Sequence, residues 1–461
     1  MPAVKKLIQF LEEEKHSMTA LKHAGPAGLN LLTATVAAQK IAAGEITSEA
    51  LVRDCLERIE ARDVDFHAWT FLDSDLALAQ SRACDNEAPR GHLHGVPIGV
   101  KDILDTADMP TEYGSKLYAG NQPESDCATV AALRRAGAVI IGKTVTTEFA
   151  SPYPTHTLNP HDLKSTPGVS SSGSAAAIAD YMIPLSNGTQ TGGSVIRPAA
   201  LCGVYGYKAS HDNLDPTGIP MWKSSIDTLG HFARSLADIA LMRAALMDDR
   251  PASLNLPKDF TPRIGICRTK LWPEAGAENV AMIDKVSAIL RDAGAHVDDV
   301  SFPTNFHEIN QAHPIITGAD SISVLPDKIT SQLENVNPWT RDRTRDAKKR
   351  SDAEVEEARS IAAHTRVDLK QVFEDFDLLL TPAAEGEAQM DLVAMPPPSF
   401  NSLWTLMHTP CLSLPAFKGP NDMPVGLQIV GVQGRDNFLL ALSAWMEKKI
   451  INAIGGLPAS L

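Results

Sequence analysis

Apolar and polar positions alternate along the chain with the periods of helices and strands. Thr47 or Ser48 can cap a helix whose apolar face comprises Leu51, Val52, Cys55, Leu56 and Ile59. Thr129 to Gly137 has a helical pattern that ends at glycine, and the apolar run AVIIG follows as a buried strand. The same pattern of helices and buried strands recurs at RIGIC, at Asn279 to Ala293, at LLLTP and at VGLQIVG. These patterns predict an α/β fold in which helices cover both faces of a mixed β-sheet.

The domain organisation follows from the same pattern. Residues 1–27 are predicted to form an N-terminal helical extension, and 28–461 one large domain without an internal repeat. Thr340 to Phe373 is a highly charged helical tract whose mixed signs suggest a solvated outer helix. Its functional alternative is a cap over a pocket, so we assign 307–375 as a helical cap or pocket region.

Composition narrows the classes of function. The net charge of −14 argues against nucleic acid as a partner, because phosphate binding needs concentrated lysine and arginine. The 6 cysteines have neither paired nor metal-ligand spacing, so we expect reduced thiols in the cytoplasm. The amino-terminal segment MPAVKKLIQFLEEEKHSM fits neither a secretory signal nor a membrane span.

The segment from Ser165 to Ser210 is the best candidate for a catalytic centre. It carries Ser170 and Ser194 in two glycine-rich turns, joined by an alanine-rich helical segment that a flexible linker would lack. Upstream, Lys101 closes the apolar strand-like run GVPIGVKD. A lysine can act as a base only when it is neutral, and burial at the end of a strand would lower its pKa. Ser170 could then relay a proton from the Ser194 nucleophile to Lys101.

The glycines before Ser194 suggest a site for a developing negative charge. Gly192 and Gly193 can bring consecutive backbone N–H groups close to a substrate. We therefore expect an oxyanion hole made by the N–H groups of Thr191, Gly192, Gly193 and Ser194.

These residues carry a specific resemblance to a known family. The chain resembles the amidase signature family of serine hydrolases, whose Ser–cisSer–Lys triad matches Ser194, Ser170 and Lys101 in that order. The resemblance continues through GHLHGVPIGVKDILDTADMPTEYGS, DCATVAALRRAGAVIIGKTVTTEFA, SSIDTLGHFARSLADIALM and MPVGLQIVGV. It implies the amidase signature fold and hydrolysis of a small-molecule amide or carbamate (urethane). It implies neither a metal nor an organic cofactor, and it allows a homodimer.

The chain departs from the family pattern near the two serines. Val169 stands where most members have glycine before the supposed cis bond, and Gln190 stands where aspartate is more common. Arg197 lies three residues after the nucleophile, and with Thr189 and Gln190 it is similar to malonamidase-like enzymes that hold a substrate carboxylate. The alternative is that Arg197 braces neighbouring loops through a buried ion pair or through backbone carbonyls. Thr189, Gln190 and Arg197 are therefore candidate substrate-binding residues.

The resulting hypothesis is an amidase that forms an acyl-enzyme on Ser194. Two alternatives remain open. The first is an amidotransferase subunit that feeds ammonia to misacylated transfer RNA and acts with partner proteins. The second is a noncatalytic scaffold of the same fold, which Val169 makes conceivable.

Overall fold

The computed structural model describes residues 28–220, 222–223, 225–302, 308–390, 392 and 400–455, so the predicted extension at 1–27 lies outside the described residues. One sheet runs through the described chain. Its strands, in chain order, are β1 Trp69–Leu72, β2 Pro97–Lys101, β3 Val139–Thr144, β4 Leu185–Gln190, β5 Tyr205–Lys208, β6 Thr228–Ala233, β7 Arg263–Ile266, β8 His296–Asp299, β9 Leu378–Pro382, β10 Cys411–Lys418 and β11 Pro424–Gly431.

The α-helices occupy most of the connections between these strands. In chain order they are α1 Ala34–Ala42, α2 Ser48–Phe66, α3 Ser74–Asn86, α4 Ala128–Arg135, α5 Ser172–Ala179, α6 Ile196–Leu201, α7 Leu236–Met247, α8 Ala277–Asp292, α9 Ile309–Val324, α10 Asp327–Thr330, α11 Pro338–Ala347, α12 Asp352–Asp375, α13 Ser402–Leu406 and α14 Asp436–Ile454. Short 3₁₀ turns lie at Leu29–Leu31, Lys116–Tyr118, Glu148–Ala150, Trp272–Glu274 and Leu333–Asn335.

The 11 strands follow the order β1-β3-β2-β4-β6-β5-β10-β11-β9-β7-β8. Strand β2 pairs in parallel with both β3 and β4, and β7 pairs in parallel with β8 and β9. The strands from β4 through β6, β5, β10 and β11 to β9 pair antiparallel, as do β1 and β3. The sheet is therefore mixed, as the sequence predicted.

Side chains that alternate along single strands bury both faces of the sheet. Ile140 of β3 joins one large core cluster, whereas Val139 and Ile141 join a second cluster with the alanines of α5. In β11, Ile429 belongs to the large cluster and Val430 to a third cluster, which includes residues of α9 and α12. Helices thus cover both faces, which confirms the predicted fold class.

Several predicted elements appear at the expected places. The Thr47 hydroxyl caps α2 by accepting a hydrogen bond from the Ala50 N–H at 3.1 Å. In the face predicted for this helix, Leu51, Val52, Cys55 and Ile59 are buried. Gly137 follows α4 with φ +86°, a left-handed conformation that glycine adopts without strain.

The charged tract predicted as one helix is two helices. Helix α11 ends at Ala347, and Ser351 begins α12 with a capping box in which Glu354 bonds back to the Ser351 N–H at 2.9 Å. The prediction of one continuous tract was wrong because Ser351 and Glu354 form a capping box that starts a new helix inside the tract. Helix α12 also buries one face, from Ala358 to Val372, against the third core cluster.

Two further features of the described chain are the state of its cysteines and the character of its long helices. The cysteines Cys55, Cys84, Cys127, Cys202, Cys267 and Cys411 are all buried free thiols. Within the described ranges, no helix combines the length and the apolar character that crossing a bilayer requires.

Candidate active site

Lys101 is the last residue of β2, and its side chain is 0% exposed. Its backbone N–H donates to Asn187 Oδ1 at 2.9 Å, which ties the end of β2 to β4. Its Nζ donates to Ser170 Oγ at 2.6 Å and to Thr189 Oγ1 at 3.0 Å. Burial lowers the pKa of Lys101 to about 7, while the nearby Asp227 carboxylate opposes this shift. A neutral amine is therefore available at physiological pH.

Ser170 lies just before α5 and is fully buried. Gly168, two residues earlier, has φ +102°, and a Cβ there would meet Pro198 Cα at 2.7 Å, so this turn requires glycine. The bond between Val169 and Ser170 is trans, since no peptide bond in the described residues is cis. The expected cis bond is therefore absent from this structure, in which a β-branched valine precedes Ser170. Ser170 nevertheless reaches Lys101.

Ser194 lies in the loop between β4 and α6, on the wall of the cavity described below. In the described part of the chain, its hydroxyl makes no hydrogen bond, so the contact with Ser170 expected for a relay is not formed here. The backbone N–H groups of Thr191, Gly192, Gly193 and Ser194 also donate to no group among the described residues. All four residues line the same cavity.

The backbone at Gly192 does not use the conformational freedom of glycine. Its φ is not left-handed, and a Cβ added there would meet nothing within 4 Å. The backbone turn therefore does not require glycine at this position. The missing side chain instead leaves room in the cavity beside Ser194.

Gln190 braces the Ser194 loop from behind. Its Oε1 accepts from the N–H groups of Val195 and Ile196, both at 3.0 Å. Its Nε2 donates to Thr405 Oγ1 at 2.9 Å, and the Thr405 hydroxyl donates to the Gly192 carbonyl, also at 2.9 Å. Gln190 is 0% exposed and does not face the cavity, so its position does not support the suggested role in substrate binding.

The other two candidate substrate-binding residues are also placed by the structure. Thr189 accepts a hydrogen bond from Lys101 Nζ and does not line the cavity, so its position is that of a support for the lysine. Arg197 lines the cavity but forms an ion pair with Glu385. The ion pair matches the bracing alternative for Arg197.

A cavity of about 270 Å³ opens over Ser194. One wall comes from the body of the domain, through Phe149, Ala150 and the Ser194 loop. Another part of the wall comes from α9 and α11, both within the segment 307–375. Its lining residues from these helices include His313, Thr317, Gly318, Ser321, Val324, Trp339, Thr340, Arg343 and Thr344. This volume suits a small organic substrate.

Sequence reasoning missed several polar residues at this site. Asp227 accepts hydrogen bonds from the Thr191 hydroxyl and from the Lys223 N–H. A ring nitrogen of His313 bonds the Thr191 carbonyl at 3.0 Å, and burial lowers the pKa of His313 to about 4. No local signal marks these residues, because each one reaches the Ser194 loop from a distant segment.

A mixed sheet covered by helices, with a buried lysine hydrogen-bonded to Ser170 beside a cavity, is the arrangement expected of a serine hydrolase that uses lysine in place of the usual histidine. Comparison with family models then identifies the family. Residues 50–440 match the model described as "Amidase", so the chain belongs to the amidase family, whose members act on carbon–nitrogen bonds. The amidase signature resemblance is thereby confirmed.

Individual relatives add detail. The chain is 33% identical to a glutamyl-tRNA(Gln) amidotransferase subunit from Chloroflexus aggregans, over 87% of this chain and 93% of that protein. The crystal structure of an amidase superposes with a TM-score of 0.82 at 27% identity, covering 91% of this chain and 100% of the other. The peptide amidase from Stenotrophomonas maltophilia superposes with a TM-score of 0.79 at 25% identity, covering 94% and 98%. Closeness to malonamidase-like members is not confirmed by these relatives.

Proposed function

We propose that this protein hydrolyses the C–N bond of a small amide or carbamate through an acyl-enzyme on Ser194. The observation that carries the proposal is the hydrogen bond of 2.6 Å between the buried Lys101 amine and Ser170, next to the cavity that Ser194 lines. Burial of an amine with a pKa near neutrality destabilises the folded protein, and such groups are concentrated at active sites.

The proposed steps use only side chains and amides of this chain. Neutral Lys101 takes the proton of Ser170 as Ser170 takes that of Ser194, and Ser194 Oγ bonds to the carbonyl carbon. The N–H groups of residues 191–194 stabilise the oxyanion. The relay then returns the proton to the leaving amine, and water hydrolyses the resulting ester. Because the Ser194 hydroxyl does not contact Ser170 in this structure, it must rotate towards Ser170 before the proton can be transferred.

The helices of segment 307–375 would act as the cap of this site. They supply one whole wall of the cavity, from His313 to Thr344. Because that wall comes from a separate stretch of chain, its side chains can set which substrates fit without altering the reacting groups.

Replacement of the nucleophile tests the proposed function. Ser194→Ala should lower hydrolysis of the best substrate, among para-nitroanilides, primary amides and carbamates, by at least about 10⁴-fold, while thermal unfolding is unchanged. Ser360→Ala, at an exposed position on α12, is the matched control and should keep full activity. Retained turnover in Ser194→Ala, or no turnover and no sulfonyl fluoride adduct in the unmodified protein, would refute the proposal. The second outcome would favour a noncatalytic scaffold.

A second candidate is favoured by the relatives. Several proteins at least 30% identical along most of the chain are amidotransferase subunits. On this alternative, the same chemistry would hydrolyse an amide side chain and release ammonia inside an assembly with partner proteins. Affinity purification of the tagged chain from its own cells separates the two candidates. An amidotransferase subunit would retain partner proteins in fixed stoichiometry, whereas a free-standing amidase would elute without them.

A further inference from the structure

Arg343 places a positive charge in the wall of the cavity that Ser194 also lines. It lies on α11, and its side chain lines the cavity together with Trp339, His313 and Lys223. The guanidinium carbon lies 5.0 Å from the centre of the Trp339 ring, which holds the charged group in one orientation by cation–π contact. This wall is formed by the cap and takes no part in the proton relay.

The hydrogen bonds of Arg343 leave its charge uncompensated. One terminal nitrogen donates to the Pro314 carbonyl at 2.9 Å and to the Thr317 hydroxyl. In the described chain, no carboxylate comes within the 4.0 Å of a salt bridge to Arg343. The two neighbouring arginines of α11 behave differently: Arg341 pairs with Asp342 at 3.0 Å, and Arg345 pairs with Glu334.

The surroundings of Arg343 reinforce the positive potential. Burial lowers the pKa of Arg343 to about 10, so the group remains charged at neutral pH. Lys223 contributes a second cation to the same cavity, with Asp227 at 3.9 Å as its counter-ion. Burial is the main cause that lowers the pKa of His313, and both cations lower it further. A partly buried cation without a partner is costly, and an anionic ligand would remove that cost.

We propose that Arg343 binds a carboxylate of the substrate, so that the preferred substrates are small amides or related C–N compounds that carry an acidic group away from the scissile carbonyl. This proposal rests on the proposed function and specifies its substrate class. Arg343 takes the role that the sequence suggested for Arg197, which is already paired with Glu385. The planar guanidinium can offer parallel N–H donors to a carboxylate, which an ammonium group cannot.

A matched pair of substrates tests the role of Arg343. Succinic acid mono-para-nitroanilide carries a carboxylate, and butyric para-nitroanilide is its neutral counterpart of similar size. The unmodified enzyme should prefer the anionic substrate in kcat/KM. Arg343→Gln should lower kcat/KM for that substrate by about 10- to 100-fold, the range expected for a hydrogen bond to a charged group, and change the neutral substrate by less than about threefold. Arg343→Lys should recover part of the preference.

A control variant and a binding measurement distinguish failure of the role of Arg343 from failure of the proposed function. Arg345→Gln removes an exposed arginine from the same helix and should leave both substrates unaffected. Binding of the anionic anilide to Ser194→Ala, measured by calorimetry, should weaken about 10-fold or more when Arg343→Gln is added. Equal losses on both substrates, or no preference for the anionic one, would overturn the role of Arg343 while leaving hydrolysis intact. Absence of turnover on both would contradict the proposed function, and the calorimetry would still decide the anion site.

Discussion

At the residue scale, the contact between Lys101 and Ser170 depends on small side chains beside it. Gly173 of α5 lies so close to neighbouring backbone that an added Cβ would meet the Ala68 carbonyl oxygen at 2.2 Å and the Val145 nitrogen at 2.4 Å. Its φ is not left-handed, so space and not backbone freedom requires glycine there. The alanines that follow allow the same close approach of α5 to the sheet, and this approach positions Ser170.

Gly173→Ala tests this dependence on space. The overlap with backbone atoms should lower the free energy of unfolding by about 2–3 kcal/mol and reduce kcat, because α5 must shift and carry Ser170 away from Lys101. Gly192→Ala is the matched control for stability, since its Cβ would meet nothing within 4 Å. Denaturant unfolding should show a change of less than about 0.5 kcal/mol for that control. Similar stability losses in the two variants would contradict the account.

At the scale of elements, the carboxylate of Glu148 is one of the groups that join the cap to the body of the domain. Glu148 accepts from the Ser115 hydroxyl at 2.7 Å and from the N–H of Asn337 at 2.6 Å. Asn337 in turn caps α11 by accepting from the Thr340 N–H at 2.9 Å. Phe149, directly after Glu148, lines the cavity and has φ +53°, a left-handed conformation that is unfavourable for an aromatic residue. Glu148 and Phe149 thus connect the wall formed by the cap to the wall formed by the body of the domain.

Glu148→Ala should loosen the cap without unfolding the sheet. Loss of the carboxylate removes hydrogen bonds to Asn337, so amide hydrogen exchange in α11 should accelerate by about 10-fold or more, while exchange in β2 and β3 stays unchanged. KM should rise more than kcat falls, because the cavity wall moves and the reacting groups do not. Glu334→Ala, which removes an exposed partner of Arg345, is the control. Unchanged exchange in α11 of Glu148→Ala would refute the anchoring role.

At the scale of the whole molecule, the site draws on segments spread over most of the chain. Lys101, Ser170 and Ser194 could be recognised from sequence because each sits in a local motif of strand end or glycine-rich turn. Arg343 and Thr405 could not be, because they reach the cavity or the Ser194 loop only through the tertiary packing of α11 and α13. Local pattern thus indicates candidate reacting groups, whereas tertiary structure alone shows which groups surround them.

The same distinction between local and tertiary signals decides how much of the fold could be predicted from the sequence. Strand β3 and helix α2 were predictable, since one is a continuous apolar run and the other a capped amphipathic helix. The order of strands was not, because pairing such as that of β4 with β6 joins residues far apart in the chain. The role of Gln190 was missed for a related reason: its partners at Val195 and Ile196 are local, but Thr405, which makes it a brace, is distant.

The central claim is that a neutral Lys101 activates Ser194 through Ser170. The most direct measurement is the rate at which a sulfonyl fluoride modifies the protein as a function of pH, followed by intact mass. Because only the unprotonated amine can accept the proton, the rate should rise as pH increases through the Lys101 pKa of about 7 and then level off. A single adduct should map to Ser194, and Lys101→Met should not show the rise. Modification that is independent of pH, or equally fast in Lys101→Met, would contradict the claim.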